Sequence, residues 1–325
     1  MNPKVSVIVP LYNSSKYVSK CCRSLFSQTL DCLEFIFVDA GSSDGSLGVV
    51  RQILQEFPHR AGQVRVISHL ASRGVGSSRH IGIGQATGDF IIHCDSDDWV
   101  EKEAYQLLYE KAIETGTDVV TCGYSIDTES GVQKEFVPAY TKDDINFSFD
   151  IGPQIGSLCL KLIRRDFIMH HHLQVPEDIE WGEDLCLSLE ALLLCDKVAP
   201  IDEPLYHYVQ HKDSITHNVT KKQCLSLIKC GTEIEFFLKE KDLEDQHSFQ
   251  LNWLKFQLKQ YLLIFPQTRD IHLWKSIYPE CHQHILQYKT MTYLKVTAWL
   301  IVHRFESTAF FLLRLRDILS NFKNK

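Results

Sequence analysis

The sequence predicts an α/β fold, a mainly parallel sheet sandwiched between helices, followed by an all-helical extension. Three observations predict it. Strand-like and helix-like segments alternate four times in about the first 115 residues; polar clusters follow the first, second and fourth of those strands; and from about Thr220 only helical patterns rich in Leu, Phe, Tyr and Lys remain.

The elements follow in order. Val5 to Val9 is a β-branched run closed by Pro10, and Ser15 to Thr29 carries Val18, Cys22, Leu25 and Phe26 at helical spacing. Phe35 to Val38 reads as a buried strand ended by the turn-forming stretch Asp39 to Gly45, with a helix over Leu47 to Phe57. Val64 to Ser68 and Phe90 to Cys94 are the third and fourth strands, each followed by a helix, Ser77 to Ala86 and Glu101 to Glu114. Sheets of this kind bind ligands beyond the carboxyl ends of their strands. Pro10 to Asn13, Asp39 to Gly45 and Asp95 to Asp98 should therefore face one crevice.

Composition narrows the function. The 325 residues are 44% hydrophobic and 23% charged, with 34 Lys+Arg against 41 Asp+Glu, a net charge of −7 that disfavours nucleic acid as a main partner. Eleven cysteines, an odd number without a CxxC pair, point to reduced thiols in the cytoplasm. The chain enters its first strand almost at once, where a signal peptide would need a longer apolar segment, and no run reaches the ~20 apolar residues of a membrane span.

Asp95-Ser96-Asp97-Asp98 crowds three carboxylates into four residues. They cannot all stay ionised without a cation, hydrogen bonds or raised pKa values. A hard divalent cation, Mn2+ or Mg2+, is the economical partner, because such ions are commonly held by one or two carboxylates together with substrate phosphates. Asp98 alone reads as the cap of the helix that begins near Glu101.

With these residues in view, residues 3 to about 215 resemble a family 2 glycosyltransferase, the nucleotide-diphosphosugar-dependent class with the GT-A fold. The resemblance rests on Val5 to Asn13, Val38 to Ser46, Arg79-His80 with Ala86-Thr87-Gly88-Asp89 leading into Asp95-Ser96-Asp97-Asp98-Trp99, and Trp181-Gly182-Glu183-Asp184, in that order. It implies a catalytic domain over residues 1–218 and a helical region over 219–325. It also implies roles: Asp97 on the metal, Asp95 on the donor ribose or a metal-bound water, with Ser96 between them in the donor site. Tyr12 and Asp39 would line the base and ribose pocket, Pro10 and Asn13 would shape its loop, and Arg79 would approach the diphosphate. The resemblance implies a UDP-sugar as the expected donor, but Ala40 stands where the family commonly has a second acid that reads the base, which weakens uridine and leaves thymidine and guanosine open.

Sugar transfer with inversion needs a carboxylate to take the acceptor hydroxyl proton. Asp184 is the candidate and Glu183 its neighbouring alternative, although acids at that place would also stabilise the start of the helix Leu185 to Leu194. His211 and His217, in a segment that folds over the donor in relatives, are candidates for a further metal ligand. His170-His171-His172 is not, since adjacent side chains point apart. Gly82 to Gly88 precedes a strand, whereas a dinucleotide fingerprint follows one. Cys21-Cys22 reads as helix packing.

The expected activity is thus transfer of a sugar to a glycan or lipid-linked acceptor in surface polysaccharide synthesis. A silent sugar-nucleotide-binding or scaffold protein of a glycan assembly complex is the alternative. A processive membrane synthase would need spans and a Gln-x-x-Arg-Trp motif, and a nucleotidyltransferase a Gly-rich basic loop after the first strand. Residues 290–325 carry six Lys+Arg and two Asp+Glu, +4 in a chain of −7. That tail suits either the inner face of the plasma membrane or packing against the catalytic domain or another subunit of a homo-oligomer.

Overall fold

The computed structural model describes residues 2–69, 74–128, 131–137, 149, 151–211 and 219–323. The chain forms two compact units, residues 1–147 with 152–214, and residues 148–151 with 215–325.

The first unit begins with β1 (Val5–Leu11), α1 (Val18–Phe26), β2 (Leu33–Asp39), α2 (Ser46–Gln55), β3 (Val64–Ser68), α3 (Val75–Gln85) and β4 (Phe90–His93). Every residue of β1, β2 and β4 is buried, which is why these strands are near-continuous apolar runs and not alternating ones. They pair in parallel in the order β3-β2-β1-β4. The register sets Leu11 beside Asp39, so the loops after β1 and β2 leave the sheet side by side.

The rest of the sheet departs from the parallel pattern. After β5 (Trp99–Val100) and α4 (Ala104–Thr115) come β6 (Val119–Thr128), β7 (Gly131–Phe136), α5 (Pro153–Gly156), β8 (Lys161–Arg164), α6 (Arg165–His171), α7 (Glu183–Leu194) and β9 (Val198–Val209). β8 lies antiparallel to both β4 and β6, while β9 runs parallel to β6 and antiparallel to β5. Parallel ladders still carry most paired residues. The antiparallel ladders are short, and of their strand pairs only β6 and β7 follow one another in the chain.

The second unit holds α8 (Lys221–Glu240), α9 (Glu244–Ile264), α10 (Ile271–Ser276), α11 (Thr292–Val302) and α12 (Glu306–Lys323). A capping box starts it: Thr220 Oγ1 accepts from Gln223 N at 3.3 Å, and Gln223 Oε1 accepts from Thr220 N at 2.8 Å. Its core gathers Phe256, Trp274 and Tyr288 around α9. Buried Lys259 is tied down by Ile277 O at 2.7 Å and by the Trp274 face, and burial lowers its pKa to about 8. No helix among the described residues is long and apolar enough to cross a membrane.

Candidate active site

The loops after β1 and β2 are knitted together by their own polar residues. Asn13 N donates to Ser42 Oγ and Ser43 N donates to Asn13 Oδ1, both at 3.0 Å. Asp39 is buried and accepts from Ser42 N at 3.1 Å, a local bond that shapes the second loop. Against the effect of burial, hydrogen bonds from the Ser46 hydroxyl, Ser15 N and Ser46 N hold the Asp44 carboxyl down at about 2. Tyr12 projects from this floor with half its surface exposed, whereas Pro10 is buried within β1.

The acidic turn sits on the same floor. Ser96 Oγ bonds Ser14 Oγ at 2.7 Å, which ties the turn to the first loop, and Asp98 N closes the turn on Asp95 O at 3.1 Å. Its three acids have separate fates. Asp98 caps nothing: α4 starts later, after Glu103, and the Asp98 carboxylate instead accepts from Tyr206 Oη and from Val209 N at 2.8 Å. Burial holds it well above the usual carboxylate range. Asp97 is half-buried, and burial followed by the charge of Asp95 pushes its pKa up to about 6. Asp95 receives Arg79.

Arg79 is the junction of the site. Its guanidinium is buried, with Nη2 2.8 Å from Asp95 Oδ1 and Nε 3.0 Å from Glu183 Oε1. Nη1 is also buried and has no hydrogen-bond partner among the described residues. One cation on α3 thus joins the turn after β4 to the first turn of α7. That meeting requires close approach: a Cβ on Gly76 would lie 2.6 Å from Pro176 O and 3.1 Å from Ile179 O. Gly182, at φ +89°, supplies the left-handed residue from which α7 starts.

Glu183 and Asp184 therefore stand at the head of α7 as a neighbouring pair of acids. Burial raises both carboxyls above their usual range, and Arg79 opposes the rise. Asp184 Oδ1 accepts from Leu185 N at 2.9 Å. Below them lies Lys161, fully buried, its ammonium donating to Gln154 O at 2.7 Å and Ser157 O at 2.8 Å; burial lowers its pKa to about 7, while Asp184 favours its charged form.

Lys161 and Tyr206 are the residues that sequence reasoning missed. A lysine inside Leu158-Cys159-Leu160-Lys161-Leu162-Ile163 is itself a signal, since a charge in an apolar run must find partners. A further cluster surrounds His207: Nδ1 meets Ser125 Oγ at 2.7 Å, Nε2 meets Glu101 Oε1 at 2.9 Å, and the ring stacks 3.4 Å from Trp99. His211 stacks on Tyr17 at 3.8 Å, and its electrostatic influence reaches Asp97. His217 lies outside the described residues. Cys21 and Cys22 are buried in the core, as packing requires.

Comparison with known proteins agrees with this geometry. Residues 6–171 match the family model for glycosyl transferase family 2. The chain belongs to that family. EpsH of Bacillus subtilis (strain 168), which bears a glycosyltransferase name, is 32% identical over 77% of this chain and 73% of its own length. The poly(ribitol-phosphate) beta-N-acetylglucosaminyltransferase TarS of Staphylococcus aureus (strain MW2) is 26% identical over 65% of this chain, which spans only 36% of TarS. A crystal structure of TarS 1–349 with UDP-GlcNAc superposes with a TM-score of 0.66 at 20% identity, covering 92% of this chain and 87% of that one. The mannosyltransferase PcManGT from Pyrobaculum calidifontis, in complex with GDP-Man and Mn2+, gives 0.52 at 14% identity over 100% of this chain and 89% of its own. The fold is that of GT-A glycosyltransferases, and the protein is an enzyme, a family 2 glycosyltransferase.

Proposed function

We propose that this family 2 member transfers a sugar, with inversion, from a nucleotide-diphosphosugar to a hydroxyl of a glycan or lipid-linked acceptor, in surface polysaccharide synthesis at the cytoplasmic face of a membrane. The observation that carries the reading is the Arg79 bridge between Asp95 and Glu183, which brings the acidic turn and the head of α7 to one guanidinium.

Each group then has a task. The interlocked loops with Pro10, Tyr12, Asn13, Asp39 and Ser96 seat the nucleoside, and the spare Nη1 of Arg79 suits an anionic oxygen of the donor. Asp184 takes the proton of the acceptor hydroxyl as its oxygen forms the new bond to the anomeric carbon, and the old bond's electron pair leaves with the nucleoside diphosphate. Glu183, fixed by Arg79, orients the acceptor. Both bases carried by relatives, the uridine of the TarS complex and the guanosine of the PcManGT complex, remain candidates.

The donor set suits a divalent cation. Asp97 is crowded by Asp95 and raised to about 6, so a positive charge there would relieve it. Among the described residues no three His, Cys, Asp or Glu side chains group to hold an ion, so the protein's share would be Asp97 with Asp95, donor phosphates supplying the rest; a histidine, His211 or His217, is a further ligand that only the family resemblance offers. Bound there, Mn2+ or Mg2+ would offset the charge of the leaving diphosphate.

The test is a thermal-shift screen of UDP-, GDP- and dTDP-sugars with and without manganese, followed by product assays. One donor should stabilise the protein mainly with metal, and Asp97→Ala should abolish that shift. Asp184→Asn should bind the donor normally yet lose transfer by about a hundredfold or more. Near-normal turnover of Asp184→Asn at saturating acceptor would remove the base assignment. Donor binding without hydrolysis or transfer to any acceptor would favour the scaffold reading.

A further inference from the structure

The last two helices turn apolar side chains outward. In α12, Ala309 and Leu313 are fully buried, and the opposite side of the helix presents Phe311, Leu315 and Ile318 at i, i+4 and i+7, all exposed, Phe311 by 64%. In α11, Leu294, Ala298 and Ile301 are buried while Val296 and Trp299 are exposed. The turn between the helices adds exposed Phe305, whose ring lies nearly parallel to that of Trp299 at 6.5 Å.

Charge is sorted in the same way. Glu306 and Asp317 are the only acids from Met291 to Lys323, and both are neutralised by the unit's own cations: Glu306 by Lys275 at 3.1 Å, Asp317 by Arg269 at 2.9 Å and by Arg316. Arg316 is held inward, donating to Ile264 O and to Tyr293 Oη. Arg304 and Arg314 are exposed, Lys295 is half-buried, and the Arg314 guanidinium lies 4.5 Å over the Phe310 ring. An aromatic and aliphatic stripe is thus rimmed by cations, with its acids already paired.

We propose that this surface docks the protein on an anionic phospholipid bilayer, with α12 lying in the headgroup region. Charge complementarity selects the occupant. A second copy seated on the same patch by two-fold symmetry would bring Arg304 and Arg314 towards their own equivalents, whereas anionic headgroups accept both guanidinium groups while Phe311, Leu315 and Ile318 reach the acyl boundary. The helix lies on the membrane and does not cross it, since Arg314, Arg316 and Asp317 interrupt its middle. The proposal extends the reading of a membrane-borne acceptor, yet binding is measured without turnover, so its failure leaves the transferase reading standing.

The experiment is flotation of the full chain with vesicles of phosphatidylcholine alone and of an equal mixture with phosphatidylglycerol. The protein should float with the mixed vesicles only. Phe311→Ser combined with Leu315→Ser and Ile318→Ser should weaken partitioning about tenfold or more. Arg304→Glu with Arg314→Glu should do the same and remove the salt dependence. Circular dichroism and thermal melts check that both variants fold, and single Leu315→Ser, with a graded loss, serves if the triple variant does not. Absence of flotation with anionic vesicles overturns the proposal. So does a stable dimer in light scattering that is dissolved by the serine substitutions, which would assign the stripe to a second copy.

Discussion

Arg79→Met keeps much of the side-chain volume and removes the charge that Asp95 and Glu183 share. The two acids lose unequally. The Asp95 side chain is 37% exposed, so water replaces much of what it loses, about 1 kcal/mol or less. Glu183 is 5% exposed, and left ionised it becomes an uncompensated buried charge at a cost of about 3–5 kcal/mol. Protonation limits that cost. Burial already raises the folded pKa of Glu183 above its unfolded value, and loss of Arg79 removes the charge that opposes the rise. For a carboxyl raised in this direction, the linked stability is fully present below the unfolded pKa of about 4.3 and is lost as pH rises through the folded pKa. The variant should therefore be destabilised by about 1–3 kcal/mol near pH 5, where a neutral carboxyl lacks only hydrogen-bond partners. Near pH 9, above the parent's folded pKa of about 8, the figure should rise towards about 3–5 kcal/mol as the carboxyl ionises. Urea unfolding at the two pH values measures both. Equal destabilisation at the two, or less than about 1 kcal/mol at the higher, would refute the bridge as a buried ion pair.

Three further outcomes are expected. Tyr206→Phe withdraws a donor from buried Asp98 and an acceptor from Asp95 N; it should cost about 1–3 kcal/mol in chemical unfolding, and a variant as stable as the parent would deny the tether. Gly76→Ala forces α3 away from Pro176 O and Ile179 O, and should lose about 1–3 kcal/mol together with transfer activity, read from melting curves and steady-state rates. Ten of the eleven cysteines are buried, and burial raises Cys22 and Cys122 to about 12, so a disulfide-exchange reagent should reach Cys32 alone until the protein is unfolded.

The parallel half of the sheet was legible because its strands declare themselves: β1 and β2 are near-continuous apolar runs, and the polar loops that follow them must leave the sheet at its carboxyl end. The other half was not. β5 is two residues long, and β8 is paired by neighbours on either side and not by an alternating pattern of its own. Within the site, the acids could be read as a cluster but their division of labour could not. Asp98 looked like a local cap, yet its partners lie 108 and 111 residues away, and no local rule reports a contact over that separation. Arg79 was read as a group facing phosphate, and its bridge to Glu183 depends on an approach between α3 and α7 that only the folded chain creates. Lys161 carried a signal in its apolar neighbourhood, whereas Tyr206 carried none, one of two tyrosines in a strand of mixed composition.

The anchoring of Asp98 by Tyr206 and Val209 sets an order of assembly during synthesis. A nascent chain exposes residues 95–98 long before β9 leaves the ribosome, so the acids exist for that interval without the strand that fixes their turn. Translation arrested near residue 171 would yield a chain with the segment that matches the family model, residues 6–171, but without the strand that fixes the acidic turn. The turn should settle late and all at once, when the final strand slides between β6 and β5.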